Sequence, residues 1–141
     1  MAIEPIAEFT GSLQCWNSFD FREEGGAYWG VVRLWPDRIE MCAQGLLTLT
    51  FRTRLIPRER VRFVRPLRRS HWLHRLGSTP GIVNFVVRPP EGAGEIHYVL
   101  YPRSAREDAV LAALEAAGYP VSRQARDVTT FSLGAGLAGG E

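Results

Sequence analysis

One segment of this chain is written as a helix, and nearly everything before it is written as strand. Residues 104–118 carry a start, an apolar stripe and a stop. Ser104 with Glu107 three residues later has the spacing of a capping box, and Glu107 and Asp108 suit the positive end of a helix dipole. Val110, Leu111, Leu114 and Ala117 recur at helical spacing on one face. Gly118 supplies a left-handed stop, and Pro120 prevents the helix from resuming. A lone helix with one apolar stripe has to bury that stripe against something. In a chain of 141 residues that otherwise reads as strands, the partner is a sheet.

The strands are read from alternation and turn residues. Tyr28–Trp35 and Arg38–Gln44 form a hairpin across Pro36-Asp37, with Ile39, Met41 and Ala43 on the inner face. Leu47–Ile56 alternates most clearly. Leu47, Leu49, Phe51, Thr53 and Leu55 are expected inward, and Thr48, Thr50, Arg52 and Arg54 outward. Val61–Leu67 follows, with Val61 and Phe63 inward, which completes an expected four-stranded antiparallel meander from Tyr28 to Leu67. Arg68–Pro80 breaks the rhythm. Gly81–Val87 and Glu95–Tyr101 form a second hairpin leading into the helix. Residues 1–27 are expected to pack on the domain as an extension, and Leu13–Phe21 or Arg68–Pro80 could supply a further strand. Residues 28–120 form the domain itself. Residues 121–141 form a tail, extended from Val121 to Phe131 and then rich in Gly and Ala. The fold class is therefore α+β, mainly β: an antiparallel meander of six or seven strands rolled into a partly open barrel and capped by one C-terminal helix.

This order, from Tyr28 to Tyr119, resembles the pleckstrin-homology-like (PH-like) superfamily, in particular its small bacterial and GRAM-like versions. The resemblance rests on the hairpin Tyr28–Gln44, the pair Leu47–Leu67, the hairpin Gly81–Tyr101 and the helix Ser104–Gly118. It covers about two-thirds of the chain. It implies seven strands and a scaffold for binding proteins or membranes, usually without catalysis. The tryptophan that eukaryotic members carry in this helix is missing here. The phosphoinositide-binding loop of the family is reduced to Pro36-Asp37 between Arg33 and Arg38, so no lipid-headgroup site carries over.

Charge is distributed unevenly. Residues 1–40 carry seven acids and three arginines, residues 41–90 one acid and ten arginines, and residues 91–141 seven acids and four arginines. Every basic side chain other than histidine is arginine. The central belt supplies the candidate binding residues. Arg52 and Arg54 lie on one strand and Arg60 and Arg62 on the next, where pairing would join them into one patch. Arg68, Arg69 and Trp72 lie beside them. Such a patch fits an anionic membrane or an acidic protein surface, or it serves as a solvated outer face. Nucleic acid ranks lower, because Phe51 and Phe63 alternate away from the arginines. His71 and His74 have a spacing seen in metal sites, with His97 elsewhere, but no cysteine or carboxylate lies close to the pair in sequence, so no metal site is expected. Neither a nucleophile elbow nor a phosphate loop is present, and no cofactor or catalytic residue is assigned. A ligand pocket in the barrel would be sought near His97 and Tyr101. Cys15 and Cys42 read as thiols rather than a disulfide. The first residues have no secretory pattern and no apolar run is long enough to span a bilayer, which leads to the expectation of a cytoplasmic protein. The leading expectation is a non-enzymatic module that binds protein, itself or a partner.

Overall fold

The computed structural model describes residues 4–17, 22–43, 53–69, 81–92, 94–123 and 126–128. Eight strands form one sheet: β1 (Ala7–Asn17), β2 (Arg22–Leu34), β3 (Arg38–Ala43), β4 (Arg54–Pro57), β5 (Val61–Arg69), β6 (Ile82–Val87), β7 (Ile96–Pro102) and β8 (Arg126–Val128). Among the described residues, one α-helix, α1 (Glu107–Ala116), follows β7. The spatial order is β4-β3-β2-β1-β7-β6-β5-β8. Neighbours from β4 through to β5 are antiparallel, and β8 lies parallel to β5. The chain thus runs through two meanders, β1–β4 and β5–β7, and the pairing of β1 with β7 joins them.

Both meanders feed one core. It takes Phe9 and Leu13 from β1, Val32 and Leu34 from β2, Ile39 and Met41 from β3, and Ile56 from β4. From the other half come Val64, Phe85 and Leu100, with Val110, Leu111 and Leu114 of α1 closing over them. The helical stripe read from the sequence is therefore the buried face of α1. Gly118 adopts φ +87°, as a left-handed stop requires. Among the described residues, no helix is long and apolar enough to cross a membrane.

Five expectations are corrected. Residues 7–17, expected to pack over the domain, form the central strand between β2 and β7, and β2 itself begins at Arg22. The reason is visible at Gly11, where an added Cβ would overlap the backbone carbonyl of Tyr101. The glycine allows β7 to approach rather than marking a turn. The meander from Tyr28 to Leu67 is split, because β4 pairs with β3 alone among the described strands while β5 pairs with β6 and β8. A 3₁₀ turn, Arg58–Arg60, separates β4 from β5. The alternation read for Leu47–Ile56 is inverted where it is described. Ile56 is 1% exposed beside Ile39, and Leu55 is 58% exposed. Leu47, Leu49 and Phe51 lie outside the described residues. In β5 a register shift between Val61 and Phe63 leaves Phe63 half-buried and brings Val64 into the core. Finally, α1 starts at Glu107 with Arg106 as a cap that makes no side-chain bond. Ser104 Oγ accepts instead from the Thr10 amide at 2.9 Å and ties the helix approach to β1.

Candidate functional site

The arginine belt is the first place to look, and the fold disperses it. Because β4 and β5 are not neighbours, Arg54 and the pair Arg60–Arg62 are not joined by strand pairing. Arg54 is half-buried opposite Met41. Arg60 Nε donates to the Arg88 carbonyl at 2.9 Å. Arg62 pairs with the Glu95 carboxylate. Arg58 donates to the carbonyls of Pro36, Ala117 and Gly118 at 2.9, 3.1 and 2.6 Å. Its guanidinium also lies over the Tyr119 ring at 5.1 Å. Tyr119 in turn donates its hydroxyl to the Trp35 carbonyl at 2.7 Å, and burial pushes that hydroxyl up to about 12. The backbones of Arg68 and Arg69 pair with Asp127 and Val128. Arg52, Trp72, His71 and His74 lie outside the described residues.

Arg65 goes furthest inward. It is 4% exposed and sits in a polar row that crosses β5, β6 and β7 on the side of the sheet away from the main core. Arg65 Nε donates to Asn84 Oδ1 at 2.9 Å. This fixes the Asn84 amide, whose Nδ2 donates to the Tyr98 carbonyl at 3.3 Å and faces His97 Nδ1 at 3.4 Å. His97 Nε2 faces the Glu95 carboxylate at 3.6 Å. Glu95 is shared with Arg62 at the surface. The row fastens three strands in one register. His97, one of the two residues beside which a pocket is expected from the sequence, faces away from the core, and the other, Tyr101, donates to Gln14 Oε1 at 3.2 Å. The core side of the same strands is filled by Val83, Phe85, Tyr98 and Leu100. Asn84 was the signal for this row in the sequence, a lone amide inside an apolar strand.

The opposite half of the sheet presents a different surface. Ile6, Trp29 and Leu55 are the exposed large hydrophobic side chains among the described residues, at 51%, 48% and 58%. All three belong to the outer face of β1–β4, since each alternates with core-facing neighbours: Ile6 with Ala7, Trp29 with Gly30, and Leu55 with Ile56. Across the middle of that face runs a charged row in register, Glu8–Arg33–Glu40. Arg33 donates to Glu8 at 2.7 Å and to Glu40 at 3.0 Å, and these bonds push its already high pKa further up. Arg103 stacks on Trp29 at 4.3 Å and donates to Ser12 Oγ at 3.2 Å. Cys42 lies on the same face with Arg33 at 3.6 Å, and Cys42 and Cys15 are both free thiols. Sequence reading missed this surface because it assigned Leu55 to the core. Among the described residues, no three His, Cys, Asp or Glu side chains converge as a metal site would need.

No known family model matches the chain, and no curated protein matches it.

Proposed function

We propose that this chain is a non-catalytic interaction module of the PH-like kind, and that it binds protein, a partner or itself, through the outer face of β1–β4. The observation that carries this reading is the gathering of Ile6, Trp29 and Leu55 on that one face. Trp and Arg dominate the energetics of protein interfaces, and Trp29 with Arg103 stacked on it forms such an anchor. The charged row between the apolar groups would set orientation. Among the described residues, seven antiparallel strands that precede one helix support the PH-like part of the reading. An anionic membrane as the target draws less support, because Arg60 and Arg62 are engaged by Arg88 and Glu95.

The test is size-exclusion chromatography with light scattering, alone and after incubation with extract of the native host. A mass above the monomer, or a retained protein, is expected, and the double variant Trp29→Ala, Leu55→Asp should abolish it. A strict monomer that retains nothing overturns the proposal.

A further inference from the structure

A second surface lies at the other end of the sheet, remote in the strand order from Trp29 and Leu55. The chain after α1 runs back along the outer edge of β5. Val64 N donates to the Pro120 carbonyl at 2.9 Å, and Ser122 N donates to the Val64 carbonyl at 2.8 Å. These bonds make a parallel bridge between Val64 and Val121. Further along, Leu67, Arg68 and Arg69 pair in parallel with Arg126, Asp127 and Val128. Both backbone groups of Val64 point to this edge. Pro66, two residues on, presents the same edge without an N–H. The edge is therefore paired in two short pieces instead of one ladder. A parallel ladder of three residues is the weaker kind of pairing and shorter than an ordinary strand.

We infer that the edge of β5 receives an extended acidic segment of a partner protein by strand addition, and that residues 120–123 and 126–128 are its resident, displaceable occupant. The resident shows what the edge accepts. It is extended, runs parallel to β5, and places Asp127 opposite Arg68 in the register. Of the arginines in the receiving stretch, residues 60–69, Arg60, Arg62 and Arg65 are engaged by Arg88, Glu95 and Asn84, Arg68 and Arg69 stand in register with the resident, and the stretch has no acid. Backbone pairing supplies the affinity of such an addition, and an acidic residue opposite Arg68 supplies its register. A tethered resident competes at high effective concentration, so it lowers the apparent affinity for any incoming strand. The tail thus acts as an autoinhibitory strap.

The probe is a fluorescent peptide copying residues 119–131, together with an Asp127→Lys version of that peptide. Binding is read by anisotropy on the intact full-length chain and on two full-length variants. Val128→Pro removes the β8 N–H that the alternation from Val64 through Pro66 to Arg68 turns toward β5, and Asp127→Lys reverses the charge opposite Arg68 without disturbing the backbone. At least one variant is expected to bind the unaltered peptide roughly tenfold more tightly than the wild type, and the altered peptide should lose that gain. Circular dichroism identifies a variant that has unfolded, and Asp127→Lys decides the matter if Val128→Pro does. Equal binding by wild type and folded variant, or no binding by either, overturns the inference. Leu55→Asp should leave peptide binding unchanged, which separates this result from that of the β1–β4 face.

Discussion

Replacing Asn84 by Leu tests the polar row directly. Asn84 is fully buried, and its neighbours on β6, Val83 and Phe85, are fully buried too, so the substitution keeps the site apolar and similar in volume. It removes the acceptor of Arg65 Nε at 2.9 Å and the longer contacts to the Tyr98 carbonyl and His97 Nδ1. A bond to a charged donor contributes about 1.5–3 kcal/mol, and leaving that donor unsatisfied in a buried place raises the cost. The two contacts at 3.3 and 3.4 Å are long and contribute less. The expected loss is about 3 kcal/mol, or a fall in Tm of roughly 6–12 °C for a domain of this size. Equilibrium urea unfolding followed by tryptophan fluorescence measures it. The pairwise part comes from a double-mutant cycle with Arg65→Met. If the row is coupled as its geometry states, the double variant loses less than the sum of the single losses by at least about 1.5 kcal/mol. An Asn84→Leu loss below about 0.5 kcal/mol, or additive single losses, would refute the assignment of Asn84 as the link between β5 and β7.

Two further outcomes follow from the same side-chain contacts. Arg58→Met removes the bonds to Pro36, Ala117 and Gly118 and the stacking on Tyr119, and should cost about 1–3 kcal/mol, with faster amide exchange at Gly118 and Tyr119; unchanged exchange there would show that the contact fastens nothing. Burial, with Cys15 beside it, pushes the Tyr98 hydroxyl up to about 12. The unfolded chain gives up this proton nearer pH 10, so about 2–3 kcal/mol of stability is intact below about pH 10 and lost as pH rises toward 12. Tyrosinate absorbance on wild type and Tyr98→Phe checks this, and a native Tyr98 that ionises near pH 10 would contradict it.

The sequence was most legible where one local rule sufficed. The stripe of α1 and its stop at Gly118 needed only helical period and a left-handed glycine, and both are present. Legibility failed where a distant partner decided. Ala7, Phe9, Leu13 and Cys15 do alternate, but Gly11 interrupts them and reads as a break; its purpose is the close approach of Tyr101. Ser104 has cap spacing, yet the Thr10 amide is the donor it meets. Leu55 and Ile56 are both apolar, so alternation alone could not choose which faces inward, and pairing of Ile56 with Ile39 chose. The belt was visible as charge, but its partners were not. Arg60 bonds to Arg88 and Arg62 to Glu95, 28 and 33 residues away, and no local pattern predicts contacts at that separation.

The split between β4 and β5 links these observations to binding. Two successive strands that do not pair leave two edges, and the chain treats them differently. The β4 edge is four residues long and ends in Pro57, which limits strand addition there. Its contribution to binding is therefore the exposed Leu55 on the face, next to Glu40 in the register, rather than its backbone. The β5 edge is nine residues long, rich in arginine, and carries the chain's own tail in interrupted register. Arg58 bridges the gap between the two edges by side chain alone, holding the end of α1 to the Pro36 turn. Because that bridge needs no strand pairing, a strand exchanged at β5 can leave the core and the β1–β4 face in place. Occupation of either proposed surface is then expected to leave the other open, so Leu55→Asp and Asp127→Lys should each change only their own binding readout.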